Sequence, residues 1–148
     1  MKFIWSIIPL TAVFTSVSSI LLRYNSTYDY SDLIPRPVDG VTCSNKLKSE
    51  GYNYFNEIPS RPNFGGAYFI SKDNTAACSA CRKFTYTNSD KTTTSVFFTV
   101  IDSADEGFTA SKQTMQTLQA SQAPEDFFLN EIDISEMPVD ESNCGITS

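Results

Sequence analysis

Histidine is missing from all 148 residues of the chain. The sequence therefore lacks the usual general base at neutral pH, the commonest metal ligand and any Ser-His-Asp or Cys-His nucleophile system. Basic residues are also in the minority, because 11 lysines and arginines stand against 17 acids. An acidic chain disfavours nucleic acid and anionic membrane as partners. We therefore expect no nucleic-acid partner, no metal and no cofactor.

Tryptophan is nearly absent, and the single residue, Trp5, lies in an apolar N-terminal stretch. Met1-Lys2 is a short basic start, residues 3–14 are apolar, and residues 15–19 are small or hydroxylated. This order is typical of a secretory signal peptide. The pattern predicts a signal peptide over residues 1–19 and a secreted protein.

The alternative for this stretch is a membrane anchor that runs on to Leu22. Its polar, hydroxyl-rich end and the lack of a basic cluster before Arg23 argue against an anchor. Small residues allow cleavage after Ser18 or Ser19, and we favour Ser19. One domain of residues 20–148 then remains, without a membrane partner and expected to be monomeric.

Cysteine is also sparse, with Cys43, Cys78, Cys81 and Cys144. Four cysteines in a small secreted chain predict two disulfides, and the sequence alone leaves three pairings open. A redox-active pair at Cys78 and Cys81 is the alternative, but their motif leads into a strand rather than a helix. A zinc site needs a second closely spaced ligand pair, which Cys43 and Cys144 do not form. We expect structural disulfides.

A β-hairpin is predicted between residues 82–87 and 92–101, joined by the polar turn 88–91. Residues 96–101 are almost wholly apolar, which suits a strand buried on both faces inside a closed barrel. The run breaks at Asp102, and the loop 103–107 follows. An acid at this position lies at the rim of the barrel, where loops usually carry binding residues.

Four further elements are predicted. A helix follows Phe108, capped by Thr109 or Ser111 and ending at Ala123–Pro124, with Met115 and Leu118 toward the core. A short helix is expected before Gly51. Short strands are expected over residues 64–70 and 126–134.

The segment after the leader carries a glycosylation motif and several tyrosines. Asn25-Ser26-Thr27 is an N-glycosylation sequon, which a signal peptide makes usable. Tyr24, Tyr28 and Tyr30 offer flat apolar faces with polar tips, so they could stack on sugar rings. The alternative is that they pack the N-terminal strand onto the domain.

Several motifs, taken together in their order and spacing, resemble those of the cerato-platanins, a family of small secreted fungal proteins. The resemblance spans nearly all of the chain after the leader. It rests on Tyr24 with Tyr28-Asp29, Val41-Thr42-Cys43-Ser44, Gly65-Gly66-Ala67, Cys78-Ser79-Ala80-Cys81, Ile101-Asp102-Ser103-Ala104 with Gly107-Phe108, Ile132-Asp133, and Ser142-Asn143-Cys144-Gly145. Ser79 stands where family members commonly have glycine, and Arg82 stands where they commonly have an aromatic residue.

The resemblance implies a mainly β fold, a double-ψ β-barrel with one or two short helices, related to the first domain of expansins. It implies the disulfides Cys43–Cys78 and Cys81–Cys144. It also implies a shallow groove that binds oligomers of N-acetylglucosamine, with Asp102 as the family acid in that groove. The implied role is to elicit plant defences or to loosen cellulosic material without hydrolysis.

The first functional hypothesis is a secreted, non-catalytic carbohydrate-binding elicitor or virulence-associated effector. Asp102 would accept hydrogen bonds from sugar hydroxyls, and Tyr28 or Tyr30 would supply a stacking face. Secondary candidates for sugar binding are Asp29, Asp133 and Asn143. The structural alternative for Asp102 is a carboxylate that ties the following loop by accepting backbone N–H groups.

Two other hypotheses remain. A glycoside hydrolase would pair Asp102 with Asp29, Asp105 or Asp133, but no spacing in the sequence shows that two carboxylates converge. A protein-binding or surface-active effector would bind no sugar and could present the acidic loop 102–106 to a basic partner. The expected partner is thus an oligosaccharide, either N-acetylglucosamine oligomers or cell-wall glucan, or a host surface protein.

Overall fold

A computed structural model describes residues 18–119 and 127–147. The signal peptide predicted over residues 1–19 therefore falls almost wholly outside the described residues, as does the predicted helix end at Ala123–Pro124. No helix within the described ranges is long and apolar enough to cross a membrane.

The described ranges contain six strands and two short helices. The strands are β1 Ser19–Tyr24, β2 Phe64–Ala67, β3 Cys81–Thr87, β4 Thr93–Ser103, β5 Phe108–Ala110 and β6 Glu131–Val139. The helices are α1 Ser44–Ser49 and α2 Lys112–Leu118. Four 3₁₀ turns, Ser26–Tyr28, Val38–Gly40, Phe55–Glu57 and Glu141–Cys144, link these elements.

The strands close into a barrel in the order β1-β5-β2-β4-β3-β6. β1 with β5 and β2 with β4 are parallel pairs, and the remaining neighbours are antiparallel. Closure leaves no free sheet edge. The mainly β, double-ψ barrel with short helices that the resemblance implied is confirmed.

The predicted hairpin is present as β3 and β4, with Cys81 opposite Thr99 and Thr87 opposite Thr93. β4 is longer than expected, since it continues through Asp102 to Ser103. Burial on both faces holds for Phe98 to Ile101 but not for Phe97, whose side chain is 39% exposed. This exposed ring lies beside the C-terminal turn and not under a covering segment.

Two separate hydrophobic clusters lie on opposite sides of β4. The barrel interior holds stacked aromatic rings, with Phe84 4.3 Å from Phe98 and 4.8 Å from Phe108 between ring centroids. The second cluster lies outside the barrel, where the long segment before β2 covers Ile101. β4 therefore supports both clusters, which fixes the segment that carries much of the predicted site.

The two disulfides join Cys43 to Cys78 and Cys81 to Cys144, as the resemblance implied. No cysteine is free among the described residues. Between the two bridges, Ser79 has a φ of +66° and is fully buried. Glycine adopts this conformation without steric cost, and serine does not. Here the Ser79 hydroxyl donates to Glu50 Oε2 at 2.9 Å, which partly offsets that cost.

The helix predictions are confirmed in most respects. Ser111 caps α2 by accepting a hydrogen bond from Thr114 N, whereas Thr109 lies in β5. Met115 and Leu118 are fully buried. α1 lies before Gly51, which takes a φ of +94° just beyond its end, as expected for a glycine that terminates a helix.

Two strand boundaries were predicted wrongly. The strand expected over residues 126–134 begins at Glu131 and runs to Val139, because the backbone of Leu129 pairs with the side-chain amide of Gln119 instead of a neighbouring strand. The strand expected over residues 64–70 ends at Ala67, where Ile70 N donates to Ala67 O and closes a turn.

Candidate functional site at the barrel rim

Asp102 is the second-last residue of β4, where a bulge turns the strand out of the barrel. β2 pairs Gly65 with Val100 and Gly66 with Asp102, so Ile101 has no partner in this ladder. Such a bulge increases twist and redirects the following side chain. The Asp102 carboxylate thus reaches the open end of the barrel.

Four hydrogen bonds hold this carboxylate. Oδ1 accepts from Thr42 N at 2.9 Å, from Thr42 Oγ1 at 2.7 Å and from Ser103 N at 2.9 Å. Oδ2 accepts from the Tyr28 hydroxyl at 3.1 Å. The structural role considered for Asp102 is therefore present, because the carboxylate ties the chain ahead of α1 and the end of β4 together.

Tyr28 is only 2% exposed, so its ring offers no face to a ligand, and the stacking role predicted for it is wrong. Its hydroxyl donates to Asp102 and accepts from Thr109 Oγ1 at 3.4 Å. Burial raises the pKa of the Tyr28 hydroxyl well above its ordinary value, and the Asp102 charge raises it further. Tyr28 is thus a neutral, buried support for the carboxylate.

Asp29 follows Tyr28 but serves another contact. Its Oδ1 accepts from Lys112 N at 2.8 Å, at the first turn of α2, and its Oδ2 accepts from the Tyr24 hydroxyl at 2.6 Å. The Asp29 bond raises the pKa of the Tyr24 hydroxyl. Both carboxylate oxygens therefore help to fix the N-terminal segment against α2.

Tyr30 is half-buried and packs against the second cluster, with its ring centroid 5.7 Å from that of Phe64. One face of the ring is thus used for packing. The Tyr30 ring also borders an open depression with Ile34 and Pro35. The structure leaves Tyr30 as the only one of the two predicted stacking tyrosines with accessible ring surface.

Glycines allow the rim to close tightly. A Cβ on Gly66 would lie 2.5 Å from both Ser103 O and Thr109 Oγ1. A Cβ on Gly107, where φ is +58°, would lie 2.1 Å from Leu21 O. Both glycines are therefore required by close backbone approach. The second residue of the predicted pair Gly65-Gly66 thus belongs to the rim itself.

Asp133 and Asn143 do not belong to this site. Asp133 lies on β6, opposite Leu21 of β1, and borders a depression with Tyr86. Asn143 lies in the C-terminal 3₁₀ turn, next to Phe97. Both residues were chosen because they occur in motifs that match the family. A motif in the sequence does not show on which side of the closed barrel its residues lie.

Of the two acids in the loop after β4, Glu106 takes part in a surface ion-pair network. Arg23 lies 3.5 Å from Glu106 and 2.5 Å from Glu131. The hydrogen bond to Glu131, together with the negative charges of Glu131 and Glu106, raises the pKa of Arg23. Part of the acidic loop that was predicted to face a basic partner is thus engaged within the molecule.

Sequence reasoning missed two supporting residues, Thr42 and Thr109. Thr42 provides two of the four hydrogen bonds to Asp102, and Thr109 donates to the Tyr28 hydroxyl. The position of Thr42 immediately before Cys43 was a usable signal, because the Cys43–Cys78 bridge fixes the adjacent backbone.

Two further predictions concern glycosylation at Asn25 and metal binding. The Asn25 side chain accepts from Thr27 N at 2.9 Å, and Ser26 and Thr27 are exposed; its glycosylation stays a prediction. Within residues 18–119 and 127–147, no group of three or more potential metal ligands converges.

The closed six-strand barrel, the two bridges and the braced rim carboxylate define a small disulfide-linked double-ψ barrel protein. The cerato-platanin family model matches residues 20–146, and the chain belongs to this family. The chain is 35% identical over 142 residues to a heat-stable 19 kDa antigen of Coccidioides posadasii, covering 94% of this chain and 90% of that protein.

Solved structures agree with this assignment. Cerato-platanin 2 from M. perniciosa superposes with a TM-score of 0.74 at 29% identity, over 86% of this chain and 99% of the other. The solution structure of the fungal elicitor cerato-platanin gives a TM-score of 0.65 at 27% identity, over 84% and 96% of the two chains.

Proposed function

We propose that this protein is a secreted, non-catalytic carbohydrate-binding protein of the elicitor type, which binds oligomers of N-acetylglucosamine or cell-wall glucan at the Asp102 rim. The observation that carries the proposal is the unequal use of the carboxylate. Oδ1 accepts three hydrogen bonds and Oδ2 accepts one. Each carboxylate oxygen has about two acceptor sites, so Oδ2 retains capacity for a sugar hydroxyl.

The hydrogen bonds that hold the Asp102 carboxylate also favour binding without bond cleavage. A retaining or inverting glycosidase needs a second carboxylate at a suitable distance from the first. Of the three partner carboxylates considered, Asp29 is hydrogen-bonded to Lys112 N of α2 and to the Tyr24 hydroxyl, Asp133 lies on β6 opposite Leu21 of β1, and Asp105 is exposed in the loop after β4. The contacts of Asp102 are all with neutral donors. Expansin-like loosening of polysaccharide, if present, would act through binding alone.

Secretion is supported by the two structural bridges, since disulfides persist in oxidising compartments. The chain has one tryptophan, Trp5, inside the proposed leader. Protein purified from culture medium should therefore show no tryptophan emission. A tryptophan signal from that material would show that the leader is retained.

The binding proposal is tested by titrating ¹⁵N-labelled protein with chitohexaose and cellohexaose. We expect saturable shifts at the amides of Thr42 and Ser103, which touch the carboxylate. Asp102→Asn keeps the shape but removes the charge, and should weaken this response. Asp133→Asn is the matched control, since it removes one acid from another side of the barrel. Saturable shifts at Thr42 and Ser103 that are equal in Asp102→Asn and in the parent protein would refute a sugar role for Asp102.

The second candidate is a protein-binding or surface-active effector that binds no sugar. It is favoured by the tip of the turn Ser31–Ile34, where Leu33 is 91% and Ile34 is 74% exposed. Large exposed apolar side chains side by side are a usual mark of a contact surface. The relative from Coccidioides posadasii is named as an antigen, which is compatible with recognition by a protein.

A paired measurement separates the two candidates. Leu33→Ser with Ile34→Ser should reduce adsorption at an air–water interface and leave oligosaccharide shifts at Thr42 unchanged. If the parent protein shows no saturation with either hexasaccharide while this double variant loses adsorption, the second candidate replaces the first.

A further inference from the structure

An uncharged depression on the side of the barrel lies away from the Asp102 rim. It has a volume of about 400 Å³ and is open to solvent. Its lining residues are Pro59, Ser60, Asn63, Phe97, Ser142, Asn143, Cys144 and Gly145. We propose that this depression, the Phe97 pocket, is a separate binding site for a neutral oligosaccharide, with a sugar ring against the Phe97 side chain.

The ring of Phe97 is available for such a contact. Side chains of a strand alternate between faces, and Phe98 and Val100 fill the barrel interior while Phe97 points outward. Thr99, two positions further along β4 on the same face, is fully buried, whereas Phe97 is 39% exposed. An aromatic face on a rigid strand provides apolar contact area at little cost in conformational entropy.

Unused hydrogen-bonding groups surround this ring. Asn63 Oδ1 accepts from Thr114 Oγ1 at 3.1 Å, and the Asn63 amide NH₂ makes no hydrogen bond within the described ranges. Asn143 Nδ2 donates to Asp140 O at 3.1 Å, which leaves its side-chain oxygen as an acceptor. The Ser142 hydroxyl is already engaged, because it donates a hydrogen bond to the Asp140 carboxylate and thereby lowers the pKa of Asp140. The Asn63 donor and the Asn143 acceptor beside an aromatic ring match the alternating polar and apolar surfaces of a saccharide.

The lining of the pocket determines the charge of the ligand. None of its eight lining residues carries a charge, in contrast with the rim, where Asp102 and the exposed acids of the next loop lie. Lys83 is the cross-strand neighbour of Phe97 on β3 but does not line the pocket. Neutral amides and hydroxyls do not compensate an ionic ligand, so an uncharged sugar is favoured.

The walls are fixed before any ligand arrives. The Cys81–Cys144 bridge anchors the C-terminal turn to β3. On the opposite wall, the Ser60 hydroxyl pairs with Thr99 Oγ1 at 2.6 Å. Gly145, with a φ of +76°, lies so close to Pro59 that a Cβ would be 2.8 Å from the proline ring. A preformed site avoids the cost of ordering its side chains upon binding.

The two sites can be distinguished experimentally because Phe97 and Asp102 are five residues apart on β4, roughly 16 Å along an extended strand. The proposal therefore stands independently of Asp102. The test is a titration of the full secreted domain with chitohexaose and cellohexaose, followed through the amide signals of Asn63, Phe97 and Gly145. We expect saturable shifts at these amides in the parent protein and in Asp102→Asn.

Phe97→Ala should weaken binding at this pocket and raise the dissociation constant up to about tenfold. Phe97→Tyr retains the ring and should retain binding. Met137→Ala is the matched control, because Met137 is also exposed and pairs with Lys83 from the other side, outside the pocket. Parallel spectra of each unliganded variant verify its fold.

Each outcome decides the proposal. Shifts at Asn63 and Gly145 that are lost in Phe97→Ala and kept in Met137→Ala support it. Shifts confined to Thr42 and Ser103 refute the Phe97 pocket as a sugar site and leave the proposed function of the rim in place. Equal shifts with glycerol at the same hydroxyl concentration would show non-specific solvation and also refute the pocket.

Discussion

The Asp102 rim and the Phe97 pocket lie on the same strand, yet their polar groups are used differently. At the rim, the Asp102 carboxylate accepts four hydrogen bonds, one of them from the hydroxyl of the buried Tyr28. At the pocket, the Asn63 amide NH₂ and the Asn143 side-chain oxygen lie beside an exposed ring and accept or donate no hydrogen bond within the described residues, although the other atom of each side-chain amide is bonded. Asp102, which the sequence singles out, is thus largely used to hold the chain together. The neutral side-chain amides of Asn63 and Asn143 keep hydrogen-bonding capacity for a ligand.

Each region depends on its own disulfide, so removing the bridges separately gives the largest expected effect. Each bridge closes a loop, with sequence separations of 35 and 63 residues. We expect Cys43→Ala with Cys78→Ala, and Cys81→Ala with Cys144→Ala, each to lower the free energy of unfolding by about 4 kcal/mol. Chemical denaturation measures this loss.

Hydrogen exchange should then separate the regions. The first pair should increase exchange at Thr42 and Ser103, and the second at Asn143 and Gly145. Equal loss of protection at both regions in both variants would show that the rim and the pocket unfold as one unit.

Removal of the rim carboxylate should have the next largest effect. In Asp102→Ala, the buried Tyr28 hydroxyl and the Thr42 backbone N–H lose their acceptor. Unsatisfied buried groups of this kind cost about 2–4 kcal/mol together. Urea unfolding of this variant measures the cost, with Asp133→Ala on β6 as the control. A stability equal to that of the control would mean that Asp102 has no structural role.

The buried tyrosine predicts a response to alkaline pH. The pKa of Tyr28 is raised in the folded state, so the unfolded chain releases this proton first. The stabilisation from Tyr28 is complete below about pH 10 and is lost as the pH rises toward the higher folded pKa. Unfolding free energies measured between pH 8 and pH 11.5 should therefore decline in the parent protein.

Tyr28→Phe should flatten that decline relative to the parent. Tyr68→Phe is the control, because Tyr68 is 52% exposed and its hydroxyl is not held at the rim. A decline of the same steepness in Tyr28→Phe and in Tyr68→Phe would contradict a neutral, buried Tyr28.

The smallest effect on stability is expected at Phe97. Its side chain is already 39% exposed, so Phe97→Ala should cost only about 1 kcal/mol of unfolding free energy. Thermal unfolding checks this value. A loss as large as that of Asp102→Ala would assign Phe97 to the core and weaken its proposed role in binding.

Much of the fold could be predicted from the sequence, because local patterns determine it. The alternation and turn residues of the hairpin gave β3 and β4, and Ser111 was one of two residues proposed to cap α2. The start of β6 was predicted too early, because the side-chain amide of Gln119 pairs with the backbone of Leu129. A long-range contact of this kind leaves no periodic signal.

The site was less predictable, because its geometry depends on closure of the barrel. Asp102 was located correctly at the strand exit, but burial of Tyr28 depends on how the segment before β2 folds over β4. Asn143 and Asp133 occur in motifs like that of Asp102, yet closure places them on other sides. Phe97 was predicted to be buried because it stands in an apolar run. Its exposure depends on which distant segments pack against β4, and the sequence around Phe97 does not show that.

The corner formed by Cys78, Ser79, Ala80 and Cys81 has a consequence for proteolysis. One bridge leads from it back to Cys43, and the other leads forward to Cys144. A protease cut at any peptide bond between residues 43 and 78, or between 81 and 144, leaves both fragments attached to each other. The nicked protein keeps the mobility of a single chain on a non-reducing gel, and its pieces separate only after a thiol reagent is added.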